Sequence, residues 1–176
     1  MRRRAGLIRV DWLAGEPGSV FLYVGRVAVE KNISAFLGLD LPGSKVVVGD
    51  GPQLASLQRR YPDVHFAGML HGAALAEAYA GASVFVFPSL TDTFGLVLLE
   101  ALACGTPVAA YPVTGPVDVL DGAGNVGALD SDLRAACLRA LQVDRMACRA
   151  HAERFSWRAC AERFLANLVP LTGTRL

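Results

Sequence analysis

The chain has 176 residues, which is enough for one domain with a full core and too few for two domains of ordinary size. Apolar residues make up 53% of the chain, yet no apolar run approaches the roughly 18 residues that a membrane-crossing helix needs. The formal net charge is +1 and the basic residues are scattered, which argues against a nucleic-acid partner.

The first residues, 1–19, show no sustained hydrophobic period and carry turn-forming glycine and proline. We therefore expect a linker or frayed end, followed by one domain over residues 20–176. The Met1–Arg4 start resembles that of a signal peptide, but Arg9 and Asp11 interrupt the next stretch of chain before an apolar core can form. A cytoplasmic location is the expectation.

Short runs of β-branched and aromatic residues alternate with helical patterns along most of the chain. The runs predict buried strands at Val20–Val24, Lys45–Val48, Val64–Phe66, 84–87 and around Val108. The patterns between them predict helices from Asn32 to about Leu39, from a first turn that contains Pro52, from Ala73 to Ala80 and from Phe94 to Cys104. Because alternating strands and helices form parallel sheets covered on both faces, we expect an α/β fold. It would be a doubly wound parallel sheet of about six strands with a helical C-terminal tail.

Two cations follow the first predicted strand, in the loop that begins at Gly25. Arg26 and Lys31 would lie at the carboxyl end of a parallel strand, where an open α/β sheet meets a pyrophosphate. Exposed salt bridges to Glu30 or to another neighbour would explain the same two residues. Both interpretations stay open on the local pattern.

A glycine pair, Gly49 and Gly51, follows the second predicted strand and precedes Pro52. The dinucleotide-binding fingerprint has a third glycine where this chain has Leu54, so that fingerprint fails. A loop that contacts a ligand and a plain tight turn explain the pair equally well.

The loop after the fourth predicted strand combines polar side chains with a helix start. The loop consists of Thr91, Asp92 and Thr93, and the helix opens with Phe94, Gly95 and Leu96. Free N–H groups at a helix N-terminus favour a phosphate, and glycine lets a ligand approach the backbone closely. The pattern therefore favours an anionic ligand at this loop.

The helix after this loop is apolar on nearly all sides, so we expect it to be buried almost all round. Glu100 is its one charged side chain, and a buried carboxylate without a partner costs several kcal/mol. Its partner could be a neighbouring backbone amide, an arginine or a ligand hydroxyl.

After Pro116 the pattern is mainly helical. Asp130 and Asp132 have the spacing of a metal-binding Asp-x-Asp, but they open a helix with its own apolar stripe, so helix capping explains them better. A further helix is predicted from about Arg145 to Phe155. Ser156 should cap the last helix, whose apolar stripe core packing explains most simply: Trp157, Cys160, Ala161, Phe164, Leu165 and Leu168.

The four cysteines show no Cys-x-x-Cys spacing. They lie at or beside apolar positions of predicted helices: Cys104, Cys137, Cys148 and Cys160. Core thiols therefore explain them better than a zinc site or a disulfide.

The run from Phe87 to Val108 resembles the Glu-x7-Glu signature of the family-4 retaining glycosyltransferases, which have the GT-B fold. The resemblance extends over roughly residues 20–168. It implies that Glu100 holds the ribose of a nucleotide-sugar donor and that Asp92 lies next to the donor sugar. The commonest family form has Glu where this chain has Asp92, so the charge is kept and the reach is altered.

Other segments resemble the family at the matching places. The Gly25–Asn32 segment is similar to the diphosphate-binding segment, which implies that Arg26 and Lys31 stabilise the leaving diphosphate. In the family, the turn that matches Gly49–Pro52 lies close to the donor, and the backbone that matches the turn after Phe66 holds the nucleotide base. The resemblance implies the same roles here. The resemblance also implies that no metal or other cofactor is needed.

GT-B enzymes consist of two domains that face each other across a cleft, and this chain resembles the donor-binding, carboxy-terminal one. The resemblance implies a donor such as a UDP- or GDP-sugar, and an acceptor-binding domain supplied in cis or in trans. The terminal helix of GT-B enzymes commonly crosses to the first domain, so part of its apolar face here would lack a partner. The Thr-Asp-Thr-Phe-Gly form resembles members that glycosylate lipids or polysaccharide precursors, and a lipid acceptor would imply peripheral membrane association.

Two other functions stay open on the sequence. The chain could be a nucleotide-sugar-binding module, or a truncation, without transferase activity. A sugar-nucleotide epimerase shares the two-domain fold but does not carry the acidic signature.

Overall fold

The computed structural model of the chain describes residues 18–92, 94–120 and 125–168. Six parallel strands of these segments form one sheet in the order β3-β2-β1-β4-β5-β6. The strands are β1 (Ser19–Val24), β2 (Gly43–Val48), β3 (His65–Gly68), β4 (Val84–Phe87), β5 (Val108–Ala110) and β6 (Gly127–Leu129). The predicted α/β sheet is confirmed. The position of β6 is not predicted, since its residues, Gly127–Leu129, include no β-branched or aromatic side chain.

Helices connect the strands and cover both faces of the sheet. They are α1 (Ile33–Leu37), α2 (Leu54–Arg60), α3 (Gly72–Gly81), α4 (Leu96–Ala103), α5 (Thr114–Leu120), α6 (Leu133–Ala140), α7 (Arg145–Ala152) and α8 (Trp157–Ala166). Short 3-10 turns precede α1 at Val29–Lys31 and follow α7 at Glu153–Phe155.

Successive side chains of a strand point to opposite faces, so the sheet carries two cores. One core contains Leu22 and Phe85 and is covered by α3, α4 and α7. The other contains Phe21 and Val86 and is covered by α1, α2 and α6. Near-continuous apolar strands are the consequence of this two-sided burial.

Two predicted helix starts lie further along the chain than expected. Asn32 is not the first residue of α1, because its φ of 52° is left-handed. Phe94 is not part of α4, because Gly95, with a φ of 76°, occupies the N-cap position. Both departures lie in loops at the carboxyl edge of the sheet.

The expectation that α4 is buried almost all round is wrong. Leu98, Ala101 and Leu102 are buried, whereas Leu96 is 64% exposed and Glu100 is exposed as well. An unbroken apolar pattern therefore marks one covered face and one open face in this chain.

The core-packing interpretation of α8 is also wrong. Ser156 caps the helix as predicted, with its Oγ accepting a hydrogen bond from the Ala159 N–H at 3.2 Å. None of the helix residues is buried, and Trp157 is 88% exposed. Among the cysteines, Cys137 and Cys148 are core thiols, whereas Cys104 is only half-buried and Cys160 is exposed.

The strand order creates a crevice at one place on the sheet edge. β1 and β4 are neighbours, but the chain runs from β1 outward to β2 on one side and from β4 outward to β5 on the other. The loops after β1 and β4 therefore leave the sheet in opposite directions. Such a switch point is where open α/β sheets bind ligands.

The loops after β1 and β2 are in direct contact along this edge. Val27 donates its backbone N–H to the Asp50 carbonyl at 2.8 Å, and Gln53 donates to the Val27 carbonyl at 3.0 Å. A Cβ on Gly49 would lie 1.9 Å from the Gly25 carbonyl oxygen, so only glycine permits this approach.

We predict that Gly49→Ala lowers the free energy of unfolding by about 2 kcal/mol or more, because a backbone clash adds to a φ of 140° that alanine rarely adopts. Gly38→Ala is the matched control: its φ of −77° is helical and its Cβ would meet one backbone atom, the Ser34 carbonyl oxygen, at 3.3 Å, so a change of less than about 1 kcal/mol is expected. Urea unfolding measures both variants. Equal midpoints for the two would contradict this account of the loops.

Candidate functional site

A cavity of about 470 Å³ opens at the carboxyl ends of the first three strands. Its lining is Val24, Gly25, Arg26, Val48, Gly49, Asp50, Gly51, Met69 and Leu70. Four of the predicted site residues, Gly25, Arg26, Gly49 and Gly51, are therefore brought together here.

Phe66 does not line this cavity, because its side chain packs against the core beneath α1 and α2. Met69 and Leu70, just beyond β3, line the cavity instead. Neither residue is predicted from the sequence. They follow Gly68, whose left-handed φ of 72° ends the strand, and no local pattern shows where the chain goes after it.

An ion pair joins the two sides of the switch point. Lys31 Nζ lies 2.7 Å and 2.8 Å from the two carboxylate oxygens of Asp92, and the two side chains are 27% and 24% exposed. Close by, the Asn32 side-chain amide donates to the Pro88 carbonyl at 3.1 Å. The loop after β1 is thereby attached to the loop after β4 by side chains of two adjacent residues.

The ion pair sets the charge state of Asp92. Partial burial alone would raise the pKa of the Asp92 carboxyl group. Hydrogen bonds from Lys31, together with its positive charge, outweigh burial and hold that pKa below its usual range. Asp92 is therefore a carboxylate at neutral pH.

Arg26 is held much less firmly than Lys31. Its closest carboxylate oxygen belongs to Glu30 at 3.5 Å, and the two side chains are 66% and 52% exposed. Such an exposed pair restrains the guanidinium very little. The expected exposed salt bridge to Glu30 is therefore present at Arg26, whereas Lys31 makes a partly buried pair with the distant Asp92. The weak hold on Arg26 leaves its guanidinium accessible to an anion.

A buried tyrosine positions the backbone at Arg26. The Tyr23 hydroxyl donates to the Arg26 carbonyl at 2.9 Å, and Tyr23 is only 2% exposed. Burial raises the pKa of the Tyr23 hydroxyl, and the nearby carboxylates of Asp92 and Glu30 raise it further. The phenol therefore stays neutral and keeps donating.

The start of α4 is built as an open helix end. Gly95 takes a left-handed conformation at the N-cap, and no side chain of the described residues caps the helix. A Cβ on Gly115, at the start of α5, would lie 3.0 Å from the Phe94 carbonyl, so α5 packs closely on this loop. Thr91 and Leu96 are exposed beside the helix start, and Thr93 lies outside the described residues.

Glu100 is exposed, so the expectation of a buried carboxylate is wrong. It nevertheless has a partner, because the Tyr79 hydroxyl donates to Glu100 Oε2 at 2.9 Å. The predicted partners are a backbone amide, an arginine or a ligand hydroxyl, and the tyrosine is not among them. No spacing rule relates the end of α3 to the middle of α4.

The capping interpretation of the aspartates before α6 is confirmed. Asp132 Oδ1 accepts from the Arg134 N–H at 2.9 Å, and Asp130 Oδ1 accepts from the Asp132 N–H at 2.9 Å. Asp130 also pairs with Arg139 at 2.7 Å.

Within the described segments, no cluster of three or more His, Cys, Asp or Glu residues could hold a metal ion, and no helix could span a membrane.

We predict that Lys31→Met raises the pKa of Asp92, because burial then acts without the opposing lysine. In the unchanged chain, the contribution of Asp92 to stability is present above the ordinary carboxyl pKa of about 3.9 and is lost as the pH falls through the lowered value. In Lys31→Met that dependence should shift to higher pH.

Carboxyl-carbon NMR titration of Asp92 in both chains measures this shift. Arg158→Met is the matched control, because it removes a cation from an exposed pair with Glu162. The same Asp92 titration curve in Lys31→Met and in the unchanged chain would contradict the account.

A family model described as "Glycosyl transferases group 1" matches residues 18–142. The chain is 34% identical to the sulfoquinovosyl transferase of Arabidopsis thaliana, over 92% of this chain and 36% of that protein. It is 44% identical to a GDP-mannose-dependent alpha-mannosyltransferase of Mycobacterium tuberculosis, over 56% of this chain and 26% of that protein. The chain thus spans only about a third of these relatives' length, or less.

Solved structures of glycosyltransferases share the fold. The lipopolysaccharide outer core galactosyltransferase WaaB, in its apo form, superposes with a TM-score of 0.72 at 20% identity, over 86% of this chain and 50% of that chain. Anabaena HepE, solved in complex with UDP-glucose, superposes with a TM-score of 0.67 at 20% identity, over 89% of this chain and 50% of that chain. The sheet and its helices are those of a Rossmann-like domain of the GT-B type. With the family match over residues 18–142, this chain belongs to the group 1 glycosyl transferases.

Proposed function

We propose that this chain is the donor-binding domain of a family-4 retaining glycosyltransferase and that it binds a nucleoside diphosphate sugar of the UDP or GDP type. The observation that carries the proposal is the Lys31–Asp92 pair across the switch point. It joins the loop expected to hold the diphosphate to the loop expected to hold the sugar. Relatives described as GDP-mannose-dependent support a donor of this class.

The diphosphate would lie between the loop after β1 and the start of α4. Arg26 is exposed and weakly held, so its guanidinium can turn to make bidentate contacts with phosphate oxygens. The Lys31 ammonium has three N–H groups and directs two short contacts to Asp92. One N–H therefore remains for a phosphate oxygen, next to the uncapped N–H groups of α4.

The nucleoside would occupy the cavity beside β1, β2 and β3, where Met69 and Leu70 supply an apolar wall. Glu100 would accept hydrogen bonds from the ribose hydroxyls, because an exposed carboxylate is a strong acceptor. Asp92, kept ionised by Lys31, would accept hydrogen bonds from hydroxyls of the donor sugar.

In the transfer itself, the bond between the anomeric carbon and the diphosphate oxygen breaks, and a bond to the acceptor hydroxyl oxygen forms with the configuration retained. The hydroxyl proton is taken up by the departing diphosphate, so the step balances. Negative charge builds on the leaving diphosphate, where Arg26, Lys31 and the α4 N-terminus would stabilise it. The acceptor would be held by an amino-terminal domain, supplied in cis or in trans. For the isolated chain we expect donor binding without efficient transfer, because water has access to the donor from the open side.

We predict that one class of nucleotide raises the melting temperature of the chain by several degrees, in a panel of UDP, GDP and ADP with their common sugar conjugates. A ligand at a hundred times its dissociation constant adds about 2.7 kcal/mol of stability. Thermal unfolding with and without each nucleotide measures this shift.

Glu100→Ala should lose the shift, because it removes the proposed ribose acceptor. Glu162→Ala is the control and should keep the shift, because Glu162 lies on α8 in an exposed pair with Arg158. A chain that melts cooperatively and responds to none of the nucleotides would overturn the proposed function.

A further inference from the structure

Tyr79 provides the hydrogen bond that orients Glu100. It lies near the end of α3 with 1% exposure, and its ring meets Phe85 of β4 edge-on, with 5.6 Å between ring centroids and 67° between ring planes. From this fixed place its hydroxyl reaches Glu100 Oε2 at 2.9 Å. A core side chain thus ends in a polar contact with an exposed carboxylate on the next helix.

The Tyr79 hydroxyl remains a donor across the physiological pH range. Burial raises the pKa of the phenol, and the charge of Glu100 and its hydrogen bond raise it further. A tyrosine hydroxyl has one hydrogen, and here it is donated to Oε2. Among the described residues, Glu100 Oε1 makes no hydrogen bond, so it is free to accept one from a ligand.

Tyr79 is itself held in place by side-chain hydrogen bonds to the backbone at the end of α3. The Thr106 hydroxyl, which is fully buried, donates to the Tyr79 carbonyl at 2.5 Å. Arg145 of α7 donates to the next carbonyls, reaching Ala80 at 2.7 Å and Ala82 at 2.5 Å. These three contacts therefore fix the end of α3, where Tyr79 stands.

We propose that Tyr79 is a positioning residue for ligand binding: its hydroxyl holds the Glu100 carboxylate so that Oε1 is presented to the ribose hydroxyls of the nucleotide. The inference rests on the proposed function. Glutamate on an open helix face samples several rotamers, and fixing one before the ligand arrives removes an entropic cost from binding. The effect should appear only with ligands that carry ribose hydroxyls.

The test compares UDP and GDP with their 2′,3′-dideoxy counterparts by titration calorimetry on the whole chain. We expect the unchanged chain to bind the ribose form of its preferred nucleotide about tenfold or more tightly than the dideoxy form, because hydrogen bonds to a charged group are strong. In Tyr79→Phe this ratio should fall about threefold or more, while affinity for the dideoxy form stays unchanged.

Loss of positioning and structural damage give different results. Tyr79→Phe keeps the ring against Phe85, and a purely structural effect would weaken both forms of the nucleotide equally. Tyr61→Phe, at the end of α2, removes a hydroxyl elsewhere and should leave the ratio unchanged. In a Glu100→Ala background, adding Tyr79→Phe should change nothing further.

The outcomes distinguish the two proposals. Equal discrimination by Tyr79→Phe and the unchanged chain would overturn the role of Tyr79 and leave the proposed function standing. An unchanged chain that binds both forms equally would overturn the ribose contact of Glu100, and an absence of all binding would overturn the proposed function. The inference about Tyr79 falls with either of these.

Discussion

The Lys31–Asp92 ion pair is the contact on which the organisation of the crevice depends. The two loops that it joins leave the sheet in opposite directions, so the backbone alone does not hold them together. The pair is half-buried and short, and it keeps a carboxylate ionised where partial burial alone would favour its neutral form. The charges that a diphosphate and a sugar would meet are therefore set before any ligand arrives.

A second layer of buried tyrosines supports this edge. Tyr23 on β1 donates to the Arg26 carbonyl, and Tyr79 on α3 donates to Glu100. In both cases burial keeps the phenol neutral, so each hydroxyl is a fixed donor at the end of a rigid ring. The exposed groups of the site are thus oriented from within the two cores.

Much of the fold follows from the amino-acid pattern, because five strands are short, apolar and separated by clear helix and turn signals. β6 is missed because its three residues, Gly127–Leu129, include no β-branched or aromatic side chain. The position of the loops after β1, β2 and β4 is predicted correctly, since parallel strands bring their carboxyl ends to one edge of the sheet. The roles of the individual site residues remain proposals.

The wrong predictions for α4 and α8 have one physical origin. An apolar pattern indicates that a helix face can be buried, but it does not indicate whether another part of this chain buries it. The exposed faces of α4 and α8 show the difference. Contacts between elements, such as Tyr79 with Glu100, depend on helix placement and leave no mark in local spacing. Met69 and Leu70 are not predicted for the same reason, because their place in the cavity lining depends on the path of the chain after Gly68.

The central claim is that a nucleotide binds at the carboxyl edge of β1 to β4. The most direct measurement is a titration of the isotope-labelled chain with UDP and GDP, monitored through amide chemical shifts. The account predicts that shifts concentrate at Gly25–Lys31, Gly49–Gly51, Gly68–Leu70 and around Leu96. Shifts that concentrate instead at the opposite edge, around the cavity of about 250 Å³ between Ser83 and Arg145, would contradict it.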